Sequence, residues 1–188
     1  MSPIYRTFTL FPEGGDPLAV ARAYQGGGRH DNPDVYPALY GSRRPEAAVA
    51  EALRRFRGRT PRGRPLERAD GGRLALATID DRALDALIDL DDPSELTARS
   101  LRPSSVATRE RDVTQPIALR LYEEGADGFE WWSTVEASWI NVTLFADRAG
   151  RRLSIADPPH VLSWDDQVVR AAAEAVGLGE SVGYSPRK

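Results

Sequence analysis

The 188-residue sequence contains no cysteine, which excludes a disulfide scaffold, a thiolate metal site and a cysteine nucleophile. Histidine is almost as scarce, since His30 and His160 are the only two. A histidine-rich metal centre is therefore excluded, and we expect no metal site. The 25 basic and 28 acidic residues nearly cancel, which argues against direct binding of nucleic acid through overall charge.

A long apolar segment is also lacking, because no run approaches the 18 residues of a membrane-spanning helix. The first ten residues, MSPIYRTFTL, do not have the basic and then apolar layout of a secretory signal. Hydrophobic residues make up 41% and charged residues 28%, a balance typical of soluble globular proteins. We therefore expect a single cytoplasmic domain over residues 1–188 that does not contact a membrane.

Strand and helix patterns are interleaved along the chain, and no repeat is visible. Alternating or aromatic-rich segments predict strands at residues 4–10, 35–40, 74–79, 129–135 and 139–145. Apolar residues at helical spacing predict helices at residues 45–57, near 84–88, at 115–124 after an N-cap at Thr114, and at about 164–176 after a capping box that starts at Ser163. The pattern predicts an α/β or α+β fold around a central mixed β-sheet with flanking helices.

Charges of one sign are concentrated in two stretches. Residues 80–95 contain seven acidic groups, and residues 54–68 contain seven arginines among Gly and Pro: Arg54, Arg55, Arg57, Arg59, Arg62, Arg64 and Arg68. We expect the arginine-rich stretch to form a basic loop. We further expect the two stretches to neutralise one another across the fold, since charge runs usually form solvated faces.

A glycine run at Gly26, Gly27 and Gly28 ends at Arg29. Glycines let backbone N–H groups approach an anion closely, and an arginine can bind a phosphate through two nitrogens. The spacing of known nucleotide-binding loops is absent, so a flexible turn with a surface arginine is the alternative interpretation. Glu51, on the helix predicted at 45–57, lies about 130° from the centre of the apolar face. It is therefore solvated unless that side of the helix lines a cleft with Arg29.

Other catalytic arrangements have weaker support. Ser133 has neither of the flanking glycines that a hydrolase nucleophile elbow uses, and neither histidine is placed to complete a triad. Metal binding by His30, Asp31 and Asp34 is weaker still. For the pair Trp131 and Trp132 we expect ordinary core packing.

The order of these motifs resembles that of the RES domain family, named for its Arg, Glu and Ser. The residues that carry the resemblance are Gly27-Gly28-Arg29, 39–42 (LYGS), 46–53 (EAAVAEAL), 125–133 (GADGFEWWS) and 139–145 (WINVTLF). The resemblance covers about residues 5–147 and leaves 148–188 as a C-terminal extension. It implies a fold similar to that of ADP-ribosyltransferases.

The resemblance also implies a function, because family members are toxins of toxin–antitoxin pairs that destroy NAD+. The nicotinamide–ribose bond is cleaved by hydrolysis or by phosphorolysis, with NAD+ as substrate, inorganic phosphate as a candidate co-substrate and no prosthetic group. The expected partner is an antitoxin with a helix-turn-helix DNA-binding region that plugs the NAD pocket, and a homodimer is a further candidate assembly. The alternatives are a catalytically silent NAD- or ADP-ribose-binding protein and an ADP-ribosyltransferase.

Carried over by motif, the catalytic residues are Arg29, Tyr40, Glu51 and Ser133. The substrate-binding residues are Gly27, Gly28, Arg29, Tyr40 and Asn141, and Tyr36 competes with Tyr40 for the position of the family tyrosine. The residue types suit cleavage through an oxocarbenium-like ribose, whose positive charge a carboxylate such as Glu51 stabilises. Arg29 would hold the pyrophosphate or the ribose, Tyr40 would stack on a ring, and Ser133 would bind ribose or phosphate and orient Arg29.

Overall fold

The structure, a computed structural model, describes residues 3–57 and 66–178. Its strands are β1 (Ile4–Leu10), β2 (Ala38–Ser42), β3 (Arg73–Asp80), β4 (Leu87–Asp89), β5 (Gly128–Trp132), β6 (Ile140–Phe145) and β7 (Ser154–Val161). They form one seven-stranded sheet in the order β4-β5-β6-β2-β1-β3-β7. The pair β4–β5 is parallel and the other neighbouring pairs are antiparallel, which confirms the predicted mixed sheet.

Helices flank this sheet, as predicted for the fold class. They are α1 (Pro45–Leu53), α2 (Pro93–Ala98), α3 (Pro103–Val106), α4 (Arg111–Glu123), α5 (Ala146–Ala149) and α6 (Gln167–Ala175). The first three begin with proline, whose missing N–H costs nothing in the first turn of a helix. Within the described ranges, no helix combines the length and the apolar character needed to cross a membrane.

The apolar core is divided among three clusters. Two contain side chains from the same face of the sheet: one includes Phe129 and residues of α4, and the other includes residues of α1 and α6. The third contains Leu39 and Val142 on the opposite face. Because successive strand residues point to opposite faces, Tyr40 and Asn141 are directed to the face that carries the first two clusters.

The sheet is nearly interrupted between β1 and β2. These strands pair at one register position, Tyr5 with Ser42, whereas β1 pairs with β3 at seven positions. At the contact the strands are very close, since a Cβ on Gly41 would lie 2.4 Å from Cγ2 of Ile4. Beyond it, the backbone oxygen of Tyr40 accepts a hydrogen bond of 3.0 Å from Arg6 Nη1 instead of from a strand partner. The split opens space on the face towards which Tyr40 points.

Several predicted boundaries were wrong. Residues 84–88 do not form a helix; this part of the chain makes a turn and then enters the short strand β4. Helix α4 begins at Arg111, so Thr114 lies inside the helix and not at its N-cap. The Thr114 hydroxyl donates to the backbone oxygen of Arg29 and thereby ties α4 to the glycine-rich loop. Helix α6 begins at Gln167, and Asp166 accepts from the backbone N–H of Ser163, which is half of the predicted capping box.

The expected neutralisation of the two charged stretches across the fold is not what the structure shows where it describes them. Arg54 pairs with Glu51, Arg68 with Asp70, and Asp80 with Arg82, so these ion pairs are local. Arg59, Arg62 and Arg64 of the predicted basic loop lie outside the described residues.

Candidate functional site

A cleft of about 290 Å³ lies where β1 and β2 separate. Its walls come from β1, the glycine-rich loop, β2, α1, β5 and β6, and Arg29, Tyr40, Glu51 and Asn141 are among the lining residues. The side of α1 that carries Glu51 therefore lines a cleft together with Arg29, which is the arrangement in which Glu51 was expected to be more than a solvated surface residue. The volume is near the lower limit for small-molecule sites.

Two rows of cross-strand neighbours lie on the cleft face of the sheet, and the first row, through Ser42, Trp131 and Asn141, forms the floor of the cleft. Asn141 of β6 lies opposite Ser42 on one side and Trp131 on the other, and Thr143 lies in the same way between Tyr40 and Phe129. The period of two in each strand brings both rows to the cleft face, which is why residues far apart in the sequence meet here.

The Glu51 carboxylate is held by three donors. Its Oε1 accepts hydrogen bonds from Ser133 Oγ at 3.2 Å and from Asn141 Nδ2 at 3.1 Å. Its Oε2 lies 3.2 Å from Nε of Arg54, three residues further along the chain. Two neutral donors and one cation hold the two oxygens of this side chain, so the site presents a fixed carboxylate to the cleft.

Arg29 is held beside the cleft by two contacts. Its guanidinium carbon lies 4.9 Å from the centre of the Trp131 ring, and Nη2 donates to Thr134 Oγ1 at 3.3 Å. Partial burial lowers the pKa of Arg29, and the charge of Arg54 adds to that effect. Nη1 is buried and has no hydrogen-bond partner among the residues that the structure describes. The arginine thus retains a nitrogen with two unused N–H donors in a partly desolvated position.

The glycine-rich loop folds around an internal anion. The backbone N–H groups of Gly26 and Gly28 both donate to Asp31 Oδ2, at 2.8 and 2.6 Å. The Asp31 carboxylate therefore occupies the two amides that could otherwise approach a phosphate. Gly28 lines the cleft, whereas Gly27 is exposed and is not among the lining residues.

Tyr40, and not Tyr36, lines the cleft. The Tyr40 hydroxyl donates to Asp31 Oδ1 at 2.6 Å and accepts from the backbone N–H of His30 at 3.0 Å. Burial and the hydrogen bond to Asp31 raise the pKa of Tyr40, so its hydroxyl keeps its proton at neutral pH. Tyr36 is fully buried in the α4 cluster, and its hydroxyl donates to the backbone oxygen of His30.

His30 is a buried neutral residue behind this wall. Its Nδ1 lies 2.9 Å from Thr143 Oγ1, and its ring meets the rings of Phe129 and Trp131 edge to face. Trp131 donates to the same Thr143 oxygen and can only donate, so the threonine proton is free to go to His30. Burial holds the pKa of His30 well below its usual value, and the charge of Arg29 lowers it further.

Ser133 is hydrogen-bonded to Glu51 and not to Arg29, which it was expected to orient. Its hydroxyl contacts Glu51 and also accepts from the backbone N–H of Val135 at 3.0 Å. Arg29 is oriented instead by Thr134 and by Trp131, so the expectation of simple core packing for Trp131 was incomplete. The structure brings Ser133, Asn141 and Glu51 together, with Arg29 and Tyr40 along the same cleft.

Sequence reasoning also missed some participants. Arg54 could have been found from its spacing of three residues from Glu51, and Ser42 from its alternation with Tyr40 along β2. Asp31 and Thr134 carry no comparable local signal. Among the described residues, no group of three or more His, Asp or Glu side chains is arranged to hold a metal ion.

Comparison with known proteins gives a family and several solved structures of similar fold. The RES domain family matches residues 3–165, a range that includes β7 and ends just before α6. Among curated proteins, none matches the sequence. A chain in the crystal structure of the MbcT–MbcA toxin–antitoxin complex of M. tuberculosis has a similar fold, with a TM-score of 0.65 and 19% sequence identity. The alignment covers 95% of this chain and 88% of that chain.

Proposed function

The chain belongs to the RES domain family, and from this premise we propose that it is an enzyme that consumes NAD+ by cleaving the nicotinamide–ribose bond. The observation that carries the proposal is the convergence of Arg29 and Glu51 on one cleft, with the Glu51 carboxylate held by three donors. A fixed carboxylate can stabilise the positive charge that develops on the ribose of NAD+. A guanidinium with unused N–H donors can bind the pyrophosphate to which that ribose is joined.

Glu51 acts on the reacting carbon. As the bond between C1′ and the nicotinamide nitrogen breaks, its electron pair stays with the nicotinamide, which leaves as a neutral ring. Positive charge develops on C1′ and the ring oxygen, and the Glu51 carboxylate stabilises it. An oxygen of water or inorganic phosphate then forms the new bond to C1′, and a proton is released to solvent when water is the acceptor. No second carboxylate is needed for the leaving group.

Arg29 holds the pyrophosphate. Its unpaired Nη1 supplies a charge-assisted hydrogen bond, while Trp131 and Thr134 keep the guanidinium in place. Tyr40 offers its ring to the substrate and keeps its hydroxyl on Asp31. Asn141 and Ser133 contribute through Glu51, and Gly28 lets the loop approach the substrate closely.

We also propose that this enzyme is the toxin of a toxin–antitoxin pair, as the fold of the M. tuberculosis complex suggests. The cleft is lined by Arg6, Arg29 and Arg54 with Glu51 as the opposing charge. An antitoxin segment that enters the cleft should therefore carry carboxylates. The proposed antitoxin also carries a helix-turn-helix region that binds DNA.

Purified protein incubated with NAD+, with and without inorganic phosphate, tests the proposal directly. Nicotinamide should appear, and Glu51→Gln should reduce its release at least 100-fold because the carboxylate is lost. Glu46→Gln, on the first turn of the same helix, is the matched control and should retain activity. Intact NAD+ under both conditions would contradict the proposal. Transfer of label from NAD+ to macromolecules would indicate an ADP-ribosyltransferase instead.

A further inference from the structure

Two buried polar residues face one another across the floor of the cleft. Ser42 of β2 and Asn141 of β6 occupy directly opposite register positions and are 1% and 2% exposed. The Ser42 hydroxyl lies 2.6 Å from Asn141 Oδ1, and Asn141 Nδ2 lies 3.1 Å from Glu51 Oε1. The three side chains thus form a continuous path of hydrogen bonds that ends on the carboxylate.

The chemistry of the groups fixes the direction of this path. An ionised carboxylate only accepts hydrogen bonds, so Asn141 has to present its NH2 group to Glu51. Its Oδ1 then points to Ser42 and also only accepts, so the Ser42 hydroxyl has to donate. A flipped Asn141 amide would place Oδ1 against the Glu51 carboxylate. Two acceptors would then be in contact, and the carboxylate would lose the hydrogen bond from Nδ2.

We infer that Ser42 is a positioning residue that holds the Asn141 amide in the orientation that binds Glu51. The inference rests on the proposed function, because it concerns the carboxylate assigned to the reacting carbon. Ser42 has no hydrogen bond to Glu51 itself, so its effect passes through Asn141. Since Ser42 and Asn141 are both buried, a water molecule does not readily replace the Ser42 hydroxyl group as a donor when that group is removed.

Kinetics of four variants, each compared with the wild type, separate this role from a general structural one. Ser42→Ala should lower kcat for nicotinamide release about tenfold and leave KM within about twofold, because Glu51 acts mainly in the transition state. Ser42→Thr keeps the hydroxyl and should restore most of kcat. If Ser42 acts only through Asn141, the double variant S42A/N141A should be no slower than N141A.

An additive result would overturn the inference: a double variant about tenfold slower than N141A would mean that Ser42 works independently of the amide. Ser138→Ala, which removes an exposed hydroxyl that contacts Glu136, is the matched control and should leave kcat unchanged. A wild-type protein with no NAD+ cleavage would contradict the proposed function, and the orientation of Asn141 can then be tested without turnover.

That second measurement is the side-chain amide signal of Asn141 in NMR spectra of the unliganded protein. In the wild type the two amide protons should give shifted, slowly exchanging signals, because one is held by Glu51. Ser42→Ala should broaden or shift them, and Ser42→Thr should not. Unchanged Asn141 signals in a folded Ser42→Ala protein would overturn the inference whatever the activity.

Discussion

Gly28 and Asp31 are so close that a Cβ on Gly28 would lie 2.5 Å from Oδ1 of Asp31. The carboxylate cannot easily move away, because two backbone amides and the Tyr40 hydroxyl hold it. Gly28 is therefore required by space and not by backbone conformation, and the neighbouring Gly27 has no heavy atom within 4 Å of the same position. This difference gives a matched pair of variants.

Gly28→Ala should lower the free energy of unfolding by about 1–3 kcal/mol, as overpacking at a constrained position does. Gly27→Ala should change it by less than about 0.5 kcal/mol. Urea unfolding followed by tryptophan fluorescence measures both. Equal effects of the two substitutions would show that Asp31 yields and that the loop is not built around it.

Tyr40→Phe removes one of the donors that hold Asp31 while keeping the ring that lines the cleft. A buried acceptor loses its partner, so we expect a loss of about 1–3 kcal/mol in the free energy of unfolding. The loop that carries Arg29 should also be held less firmly, and KM for NAD+ should rise more than kcat falls. Tyr24→Phe, at a residue that is 91% exposed, is the control for both measurements.

Arg54→Gln removes the cation next to Oε2 of Glu51. The pair is partly exposed, with 41% and 26% of the two side chains accessible, so the free energy of unfolding should change by less than about 1 kcal/mol. Nicotinamide release should fall more strongly, because a positive charge that orients Glu51 and faces the substrate is lost. Arg68→Gln, which breaks an exposed pair with Asp70, should leave turnover unchanged.

The pH dependence of stability should report the buried His30. Its pKa is held well below the usual 6.5 in the folded protein, so below pH 6.5 the unfolded chain binds a proton that the folded protein does not. Stability is then lost as the pH falls, by about 1.4 kcal/mol between pH 7.5 and 5.5 from this residue alone. Urea unfolding at both pH values should show this loss in the wild type.

His30→Asn lacks the titrating ring and should show a correspondingly smaller loss over the same interval. The variant is expected to be less stable at pH 7.5, so the comparison uses the change with pH and not the absolute value. Equal changes in the two proteins would show that His30 becomes protonated within the folded state.

Much of the sheet followed from the sequence because β1, β5 and β6 have compact runs of β-branched and aromatic residues bounded by turn formers. Strand β7 was not predicted, since Pro158 and Pro159 lie inside it. The strand is at the edge of the sheet, where a missing backbone donor is tolerated. Its place in the order of strands is a tertiary property that the local pattern does not carry.

The candidate site divides in a similar way. Helical periodicity described Glu51 as solvated because it locates only the largest apolar face, whereas α1 is buried along Ala47, Ala48, Val49 and Ala50 and presents Glu51 to a cleft. Whether a polar side faces solvent or an enclosed space depends on the strands packed beside it. Ser42 and Asn141 are 99 residues apart, and only strand pairing makes them neighbours.

Strands β1 and β2 pair at one register position, so the sheet is divided into two blocks of strands that share this one point of backbone pairing. Backbone atoms that would pair with each other in an unbroken ladder can instead bind side chains, as the oxygen of Tyr40 binds Arg6, or a ligand that enters between the two blocks. A fold arranged in this way can acquire a new ligand preference by changing the edges of two strands.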